Sequence, residues 1–487
     1  MKGHPGWDYK PYVRMCDIKK KDLPVICRLA PYEDHCEIQW MDHGDEEGQH
    51  QIICHQRGTG KPDIELWTCE HTVDIKGLLP GREYEVRVLR SKDPEKGSDF
   101  RFFRAGEIIG TVIDYLHPHD DHYAYSGRYL CSPCILRTKK GRLLVSMDVY
   151  GLGMAQNLTI LCKSDDDGSS WQYLCELFPC FWGKLFEYED RIYMLSMTAE
   201  YGELQIGYSE DEGETFCKPV TLFPGCGIRW EKGMHQAPTP VVFHEGRIWT
   251  AVDYGSWECG GHESAIISAS LECDLMDPFA WVCSEFVPYD RSWPGAVPHS
   301  QWGGHEGNAV IGPDGEIYDF LRYQISNVFS GHVDDSVITH GKAFILKLDK
   351  KDPEKPMSFY KFVDFNGGMS KFVIRKDEIT GFYISLVNEV VDDTMPSQRN
   401  ILSLSISRDM VNWRIVKPLI DASEYSAFDT GFQYVDFIID GEDILYASRT
   451  AFNGAHNFHD SNYITFHKLE DFRQVIKETL ETEEGYR

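Results

Sequence analysis

Six apolar segments of this chain end, five residues after their first aligned apolar position, in Asp148, Met197, Asp253, Arg322, Asn388 and Arg449. Side chains along a strand alternate between two faces, so a shared register places these six ends alike on whatever sheets the segments join. The apolar segment one turn before each of them opens with Ser132, Lys184, His235 with Gln236, Glu306, Lys371 and Tyr434 respectively. Strands joined by a short turn run antiparallel, which brings the start of one beside the end of the next. Carboxylates, guanidinium groups, an imidazole and a phenol gathered on one face form a binding or catalytic funnel, with acids and bases for proton transfer and cations for an anion.

The elements that must position these residues repeat. Their second strands align as Gly141-Arg142-Leu143-Leu144-Val145-Ser146-Met147-Asp148, Asp190 to Met197, Gly246 to Asp253, Gly315 to Arg322, Gly381 to Asn388 and Asp443 to Arg449. Three copies of a Ser-x-Asp turn accompany them: Ser164-Asp165-Asp166-Asp167-Gly168-Ser169-Ser170-Trp171, Ser209 to Phe216, and a shorter Ser407 to Trp413. The first two start 45 residues apart, the length of one four-stranded propeller blade. In such a turn Ser and Asp bond nearby backbone N–H groups, Gly supplies the positive φ, and the aromatic plugs the next strand. The turns are therefore hairpin staples and not reactive groups. Six units predict an all-β, six-bladed propeller over residues 105–475, with Ile108 to Ile113 closing the ring by joining the last blade.

Residues 24–104 read as short alternating strands ending in Leu78-Leu79-Pro80-Gly81-Arg82-Glu83-Tyr84, a corner that lets the phenol bond backbone a few residues upstream. With Trp40 at a core position, this segment resembles a fibronectin type III module, a small β-sandwich. Residues 1–23 are left as an N-terminal extension and 476–487 as an acidic C-terminal tail.

The chain has 487 residues, 49 basic against 77 acidic, for a net charge of −28. That balance argues against nucleic acid and anionic membranes as partners, since both require a basic face. Fifteen cysteines, mostly within apolar strands, show no zinc spacing and predict buried thiols. The start, Met1 to Trp7, has no apolar stretch of the signal-peptide kind, which leads to the expectation of a cytoplasmic protein without a cofactor or a metal.

The repeated Asp turns and the six-unit count resemble the sialidase (neuraminidase) superfamily from about residue 106 to 475. Gly304 to Arg322 is similar to the sialidase strand pair that offers a glutamate and, 16 residues on, a carboxylate-binding arginine. Gly431 to Gly441 is similar to the strand that presents a nucleophilic tyrosine. The resemblance implies Tyr434 as nucleophile and Glu306 as its base, since a phenol of pKa near 10 needs a neighbouring carboxylate to take its proton. Asp148 or Asp253 would then be the acid/base, with Arg322 and Arg449 as anion clamps. The sialidase arginine at the start of the first blade has no match in Tyr129-Leu130-Cys131-Ser132-Pro133, which leaves the arginine triad incomplete. Lys371, Arg449 and Arg128 are candidates for the place without a clean counterpart.

Histidine-rich loops, His117 to Tyr123, Met234-His235-Gln236 and Asn453 to Tyr463 with His456 and His459, add further acid–base or substrate-binding groups. Together these features predict an exo-acting glycoside hydrolase removing an acidic or modified terminal sugar from an oligosaccharide or glycan. Two alternatives stand beside it. One is a lyase acting next to a uronic acid through a His or Tyr base and an arginine. The other is a non-catalytic carbohydrate-binding propeller that stacks sugars on Trp182, Trp257, Trp293 or Trp302.

Overall fold

A computed structural model describes residues 6–13, 20–45, 47–59, 64–227, 229–297, 303–324 and 341–485. Their sheets give the expected fold class, an all-β six-bladed propeller preceded by a small sandwich. Blade 1 consists of Tyr129–Arg137, Leu143–Tyr150, Thr159–Ser164 and Gln172–Leu177, and blade 2 of Phe181–Tyr188, Arg191–Met197, Leu204–Ser209 and Val220–Phe223. Blade 3 is built on Gly233–His235, Arg247–Ser256 and Gly261–Ser270. Blade 4 is Gly303–Ile311, Ile317–Gln324, Lys342–Leu348 and Ser358–Asp364. Blade 5 is Ile374–Lys376, Tyr383–Asn388, Ile401–Ser407 and Trp413–Asp421. The last blade, Gly431–Asp440, Asp443–Ala451 and Tyr463–Leu469, receives Thr111–Tyr115 as its outer strand. Chain from either end of the propeller thus shares one sheet, which closes the ring.

The Ser-x-Asp turns work as staples. Asp166 accepts from the Ser164 hydroxyl at 2.8 Å and from Ser170 N at 2.9 Å, while Gly168 takes φ +87° and donates to Ser164 Oγ at 2.9 Å. Trp171 then packs against Phe466 of blade 6, centroids 5.4 Å apart. Asp211 and Asp409 repeat the pattern in blades 2 and 5.

Two sheets form the sandwich. One holds Val25–Pro31, His35–Met41 and Thr72–Lys76; the other is centred on His50–Gln56 and Glu83–Arg90. Ile38, Trp40, Ile52, Val86 and Val88 fill the space between them. Tyr84 Oη accepts from Leu79 N at 2.9 Å, the expected corner.

Both termini differ from the sequence expectation. The N-terminal extension carries Asp8–Tyr9, which pairs with Glu176 and Leu177 as a further strand of blade 1, and Trp7 is buried between blades 1 and 2. The acidic tail belongs to a helix, Phe472–Gly485, whose Phe472 and Ile476 enter the core of blades 5 and 6. Charge density hides a two-residue apolar stripe at helical spacing. No helix among the described residues is long and apolar enough to cross a membrane.

Polar anchors join the sandwich to the ring-closing strand. Arg28 donates from Nε to Ile113 O at 2.7 Å and from Nη2 to Val112 O at 3.0 Å. Leu29 N donates to Asp114 Oδ1 at 3.2 Å, and burial pushes that carboxyl up to about 6. Arg101 bonds Asp120 at 2.5 Å and Ile26 O at 2.6 Å. Replacing Arg28 by Met leaves two buried carbonyls of the closing strand without donors, so Arg28→Met should lower stability by about 2–4 kcal/mol in denaturant unfolding. A loss under about 0.5 kcal/mol would show that Arg28 does not hold the closing strand.

Candidate active site at the inner strands

Four inner strands carry the same irregularity. Pairing passes from Cys131 opposite Asp148 to Cys134 opposite Ser146, from Phe181 opposite Met197 to Lys184 opposite Leu195, from His305 opposite Arg322 to Asn308 opposite Phe320, and from Gln433 opposite Arg449 to Asp436 opposite Ala447. Each step holds one residue too many, and the surplus residues Ser132, Trp182, Glu306 and Tyr434 take φ of 48°, 53°, 53° and 52°. A bulge of this kind kinks the strand and re-aims a side chain, at about 1–3 kcal/mol for a non-glycine residue. In blade 2 the re-aimed residue is Trp182, not Lys184. Lys184 is two residues on, buried, and donates to Thr250 Oγ1 and Ala251 O at 2.8 Å each. Burial pulls its pKa down to about 7.

The bulges of blades 4 and 6 bring Glu306 and Tyr434 together. The Tyr434 hydroxyl donates to Glu306 Oε1 at 3.0 Å and accepts from Arg322 Nη1 at 2.8 Å; the same Nη1 lies 2.6 Å from Glu306 Oε2. Arg322 is fixed by Met369 O at 2.9 Å and Gln324 Oε1 at 2.8 Å. Burial raises the Glu306 carboxyl, but the Arg322 guanidinium and the Tyr434 hydroxyl outweigh it and hold it below the usual carboxylate range. Burial pushes the Tyr434 phenol the other way, above its ordinary value. The resting pair is therefore a neutral phenol bonded to an ionised carboxylate.

Three guanidinium groups surround that phenol. Cζ of Arg449, Arg399 and Arg322 lies 5.0, 5.6 and 5.9 Å from the Tyr434 ring centroid. One of these, Arg399, is absent from the residue pattern because it precedes Ile401–Ser407 in a loop with no register to reveal it. Arg399 is buried and its Nη1 donates to Gln433, yet Nε and Nη2 have no hydrogen-bond partner among the described residues. Burial, with Arg322 and Arg449 close by, pulls its pKa down to about 9. Three buried guanidinium groups stand around one phenol, and Arg399 alone among them keeps idle donors, an arrangement able to receive an anion.

The remaining sequence candidates divide. Asp148 is buried, accepts from Thr159 Oγ1 at 2.6 Å, and has Oδ2 unpartnered among the described residues. Burial lifts its carboxyl well above the normal range. Asp253 accepts from Glu306 N at 2.8 Å, His235 Nδ1 at 3.1 Å and Ser264 Oγ at 3.4 Å, which makes it a positioning residue for Glu306. Lys371 positions the other bulge by donating to Tyr434 O at 3.3 Å and Val435 O at 3.1 Å. Burial pulls its pKa down to about 8. Gln236 and Asn388 direct their amide N–H groups to backbone carbonyls, and Gln236 Oε1 has no hydrogen-bond partner among the described residues. His459 backs Arg449, its carbonyl accepting from Nη2. Arg128 pairs with Asp121 at 2.6 Å on an exposed loop and does not complete the arginine set. His456 bonds Asp460 at 2.9 Å and stacks on Tyr129, whose ring lies 6.5 Å from that of Tyr150. Trp302 lies outside the described residues.

No family model matches the chain, and no curated protein matches it in sequence. Solved structures with similar architecture include the Penicillium chrysogenum alpha-L-arabinanase complexed with arabinobiose (11% identity, TM-score 0.46, 74% of this chain and 98% of that one). Others are a leech intramolecular trans-sialidase (10%, 0.46, 94% and 92%) and an ulvan lyase from a family of polysaccharide lyases (14%, 0.41, 82% and 89%). The blade count rests on the strand pairing itself.

A buried guanidinium with idle donors costs stability. At neutral pH Arg399→Met should be more stable than the parent by about 1–4 kcal/mol. The sign follows from the depressed pKa: the parent's penalty is full below about 9 and fades as pH rises beyond it, so the gap should narrow in alkaline unfolding experiments. An Arg399→Met protein less stable than the parent at pH 7 would mean that the guanidinium is satisfied.

Proposed function

We propose that this protein is an exo-acting glycoside hydrolase that removes a terminal sugar bearing a carboxylate. The observation that carries this reading is the Tyr434 hydroxyl bonded to ionised Glu306 inside a ring of three buried arginines. Arg322, Arg399 and Arg449 bind the substrate carboxylate through charge-assisted hydrogen bonds and set the anomeric carbon over Tyr434. A phenol suits this substrate, because a carboxylate nucleophile would be repelled by the sugar's own charge.

In the first step Tyr434 Oη forms a bond to the anomeric carbon and passes its proton to Glu306. The glycosidic C–O bond breaks, and the leaving oxygen takes the proton of Asp148, whose burial favours the protonated form. In the second step water attacks the same carbon and gives its proton to Asp148, and the tyrosyl oxygen leaves and recovers its proton from Glu306. Two displacements at one carbon retain its configuration.

A lyase reading rests on the same phenol and arginines, with Tyr434 removing the proton next to the carboxylate. Aryl glycosides of uronic and sialic acids, together with uronate oligosaccharides, separate the two. The hydrolase releases aglycone, with no ultraviolet-absorbing unsaturated product, while the lyase gives the unsaturated product. Tyr434→Phe and Glu306→Gln should each lower kcat by about 10²–10⁴-fold with the fold intact. If both variants retained full turnover, or if the parent bound these sugars without cleaving any, the assignment would be overturned.

A further inference from the structure

Next to the Tyr434–Glu306 pair, blades 3 and 4 assemble rings that the reaction above does not use. The centroids of His235 and His262 lie 4.2 Å apart, those of His262 and His305 5.6 Å, and those of His235 and His305 6.1 Å. Trp257 joins them edge to face, 4.6 Å from His262 and 4.9 Å from His305. His235 is accounted for by Asp253. His262 and His305 are not: they are 5% and 0% exposed, and neither ring nitrogen of either has a hydrogen-bond partner among the described residues. The nearest approach to an acid, His305 Nε2 to Glu306 Oε2 at 3.7 Å, is beyond hydrogen-bond reach.

Burial, reinforced by the Arg322 guanidinium and neighbouring imidazoles, holds both rings neutral. Each then offers one N–H donor and one lone pair, and each stands buried without the partner that would repay its lost hydration. A hydroxyl group, which donates and accepts at once, satisfies a neutral imidazole without charging it. An anion would instead favour protonated rings, against both the burial and the arginine field. The described residues hold no group of three or more His, Cys, Asp or Glu side chains arranged to bind a metal ion.

We infer that His262, His305 and Trp257 form a neutral subsite that binds hydroxyl groups of the sugar attacked by Tyr434, with the indole against the sugar's C–H surface. This rests on the reading of Tyr434 as the attacking group, since Glu306 links the two places: Oε1 bonds the phenol and Oε2 faces His305. The arginines admit any acidic sugar, and this subsite chooses among them by its hydroxyl pattern.

The test has one arm that needs no turnover. In full-length protein with ¹⁵N-labelled histidine, the ring signals of His262 and His305 are followed while D-glucuronate, D-galacturonate or N-acetylneuraminate is added, with acetate as a probe of the arginines alone. Saturable shifts of both rings with at least one sugar and none with acetate support the subsite. Rings that ignore every sugar, or that respond to zinc ions instead, overturn it. The second arm uses the aryl glycoside of that sugar and its monodeoxy analogues. Loss of one hydroxyl should lower the parent's kcat/KM by about 10–100-fold, and in His262→Phe or His305→Phe the ratio between the full and the deoxy substrate should collapse to less than about 3-fold. The His→Gln variants, which keep a donor and an acceptor, should retain part of the discrimination. Equal losses on both substrates would assign the rings to core packing and sink the inference. Sugar-dependent ring shifts without turnover would sink the hydrolase reading instead and leave the subsite standing.

Discussion

One surplus residue in an inner strand, held in the left-handed region, is the constraint on which the reactive face depends. Without it Glu306 and Tyr434 would follow the strand alternation of their neighbours and could not both turn towards Arg322. The backbone around each bulge is secured from another strand. The Asp253 carboxylate receives Glu306 N, and the Lys371 ammonium reaches the carbonyls of Tyr434 and Val435. Asp253 and Lys371 are thus committed to geometry, holding the backbone beside the Tyr434–Glu306 pair. Local strain at a functional residue is tolerated where surrounding bonds over-determine it.

Charge within the site is out of balance. Glu306 is shared between Arg322 and Tyr434; Arg449 feels Asp148 and Asp460 as well, while Arg399 has no ion pair among the described residues. Those two rest on aromatic faces: Arg399 over Tyr434 and Phe458, Arg449 over Tyr434 and Tyr150. Ring faces attract a cation without supplying the full partner that a carboxylate would. Arg399 is therefore held in place but short of hydrogen bonds, the condition in which a ligand anion gains most. The histidine pair shows the same design in neutral form.

Much of this is legible in the residue order because strands impose a period. The register shared by Asp148, Asp253, Arg322 and Arg449 marks one face through periodicity alone, and the Ser-x-Asp turns and the Tyr84 corner name their own hydrogen bonds. What the order of residues conceals has physical reasons. Periodicity points to Lys184 instead of Trp182, because a bulge adds a residue that a fixed period cannot count. Arg399 sits on a loop, where no repeat constrains direction. His262 and His305 gain their meaning from ring contacts between blades, which local sequence does not encode. The terminal segments mislead for a different reason: strong charge in one and brevity in the other conceal Ile476 and Trp7, single apolar anchors that packing alone reveals.

The closing strand Thr111–Tyr115 carries a consequence in time. It is made directly after the sandwich, while its partner Tyr463–Leu469 follows only after five further blades. At about 5–20 residues per second, the interval between them is on the order of tens of seconds. Throughout that period one edge of the strand has no sheet to join, and an unpaired edge is a template for association with other chains. Arg28 offers an answer available from the outset, because it grips Val112 and Ile113 through their carbonyls from within the sandwich, a unit already synthesised. The small leading module can therefore act as a holding clamp during synthesis, keeping the nascent strand occupied until the sixth blade arrives to receive it.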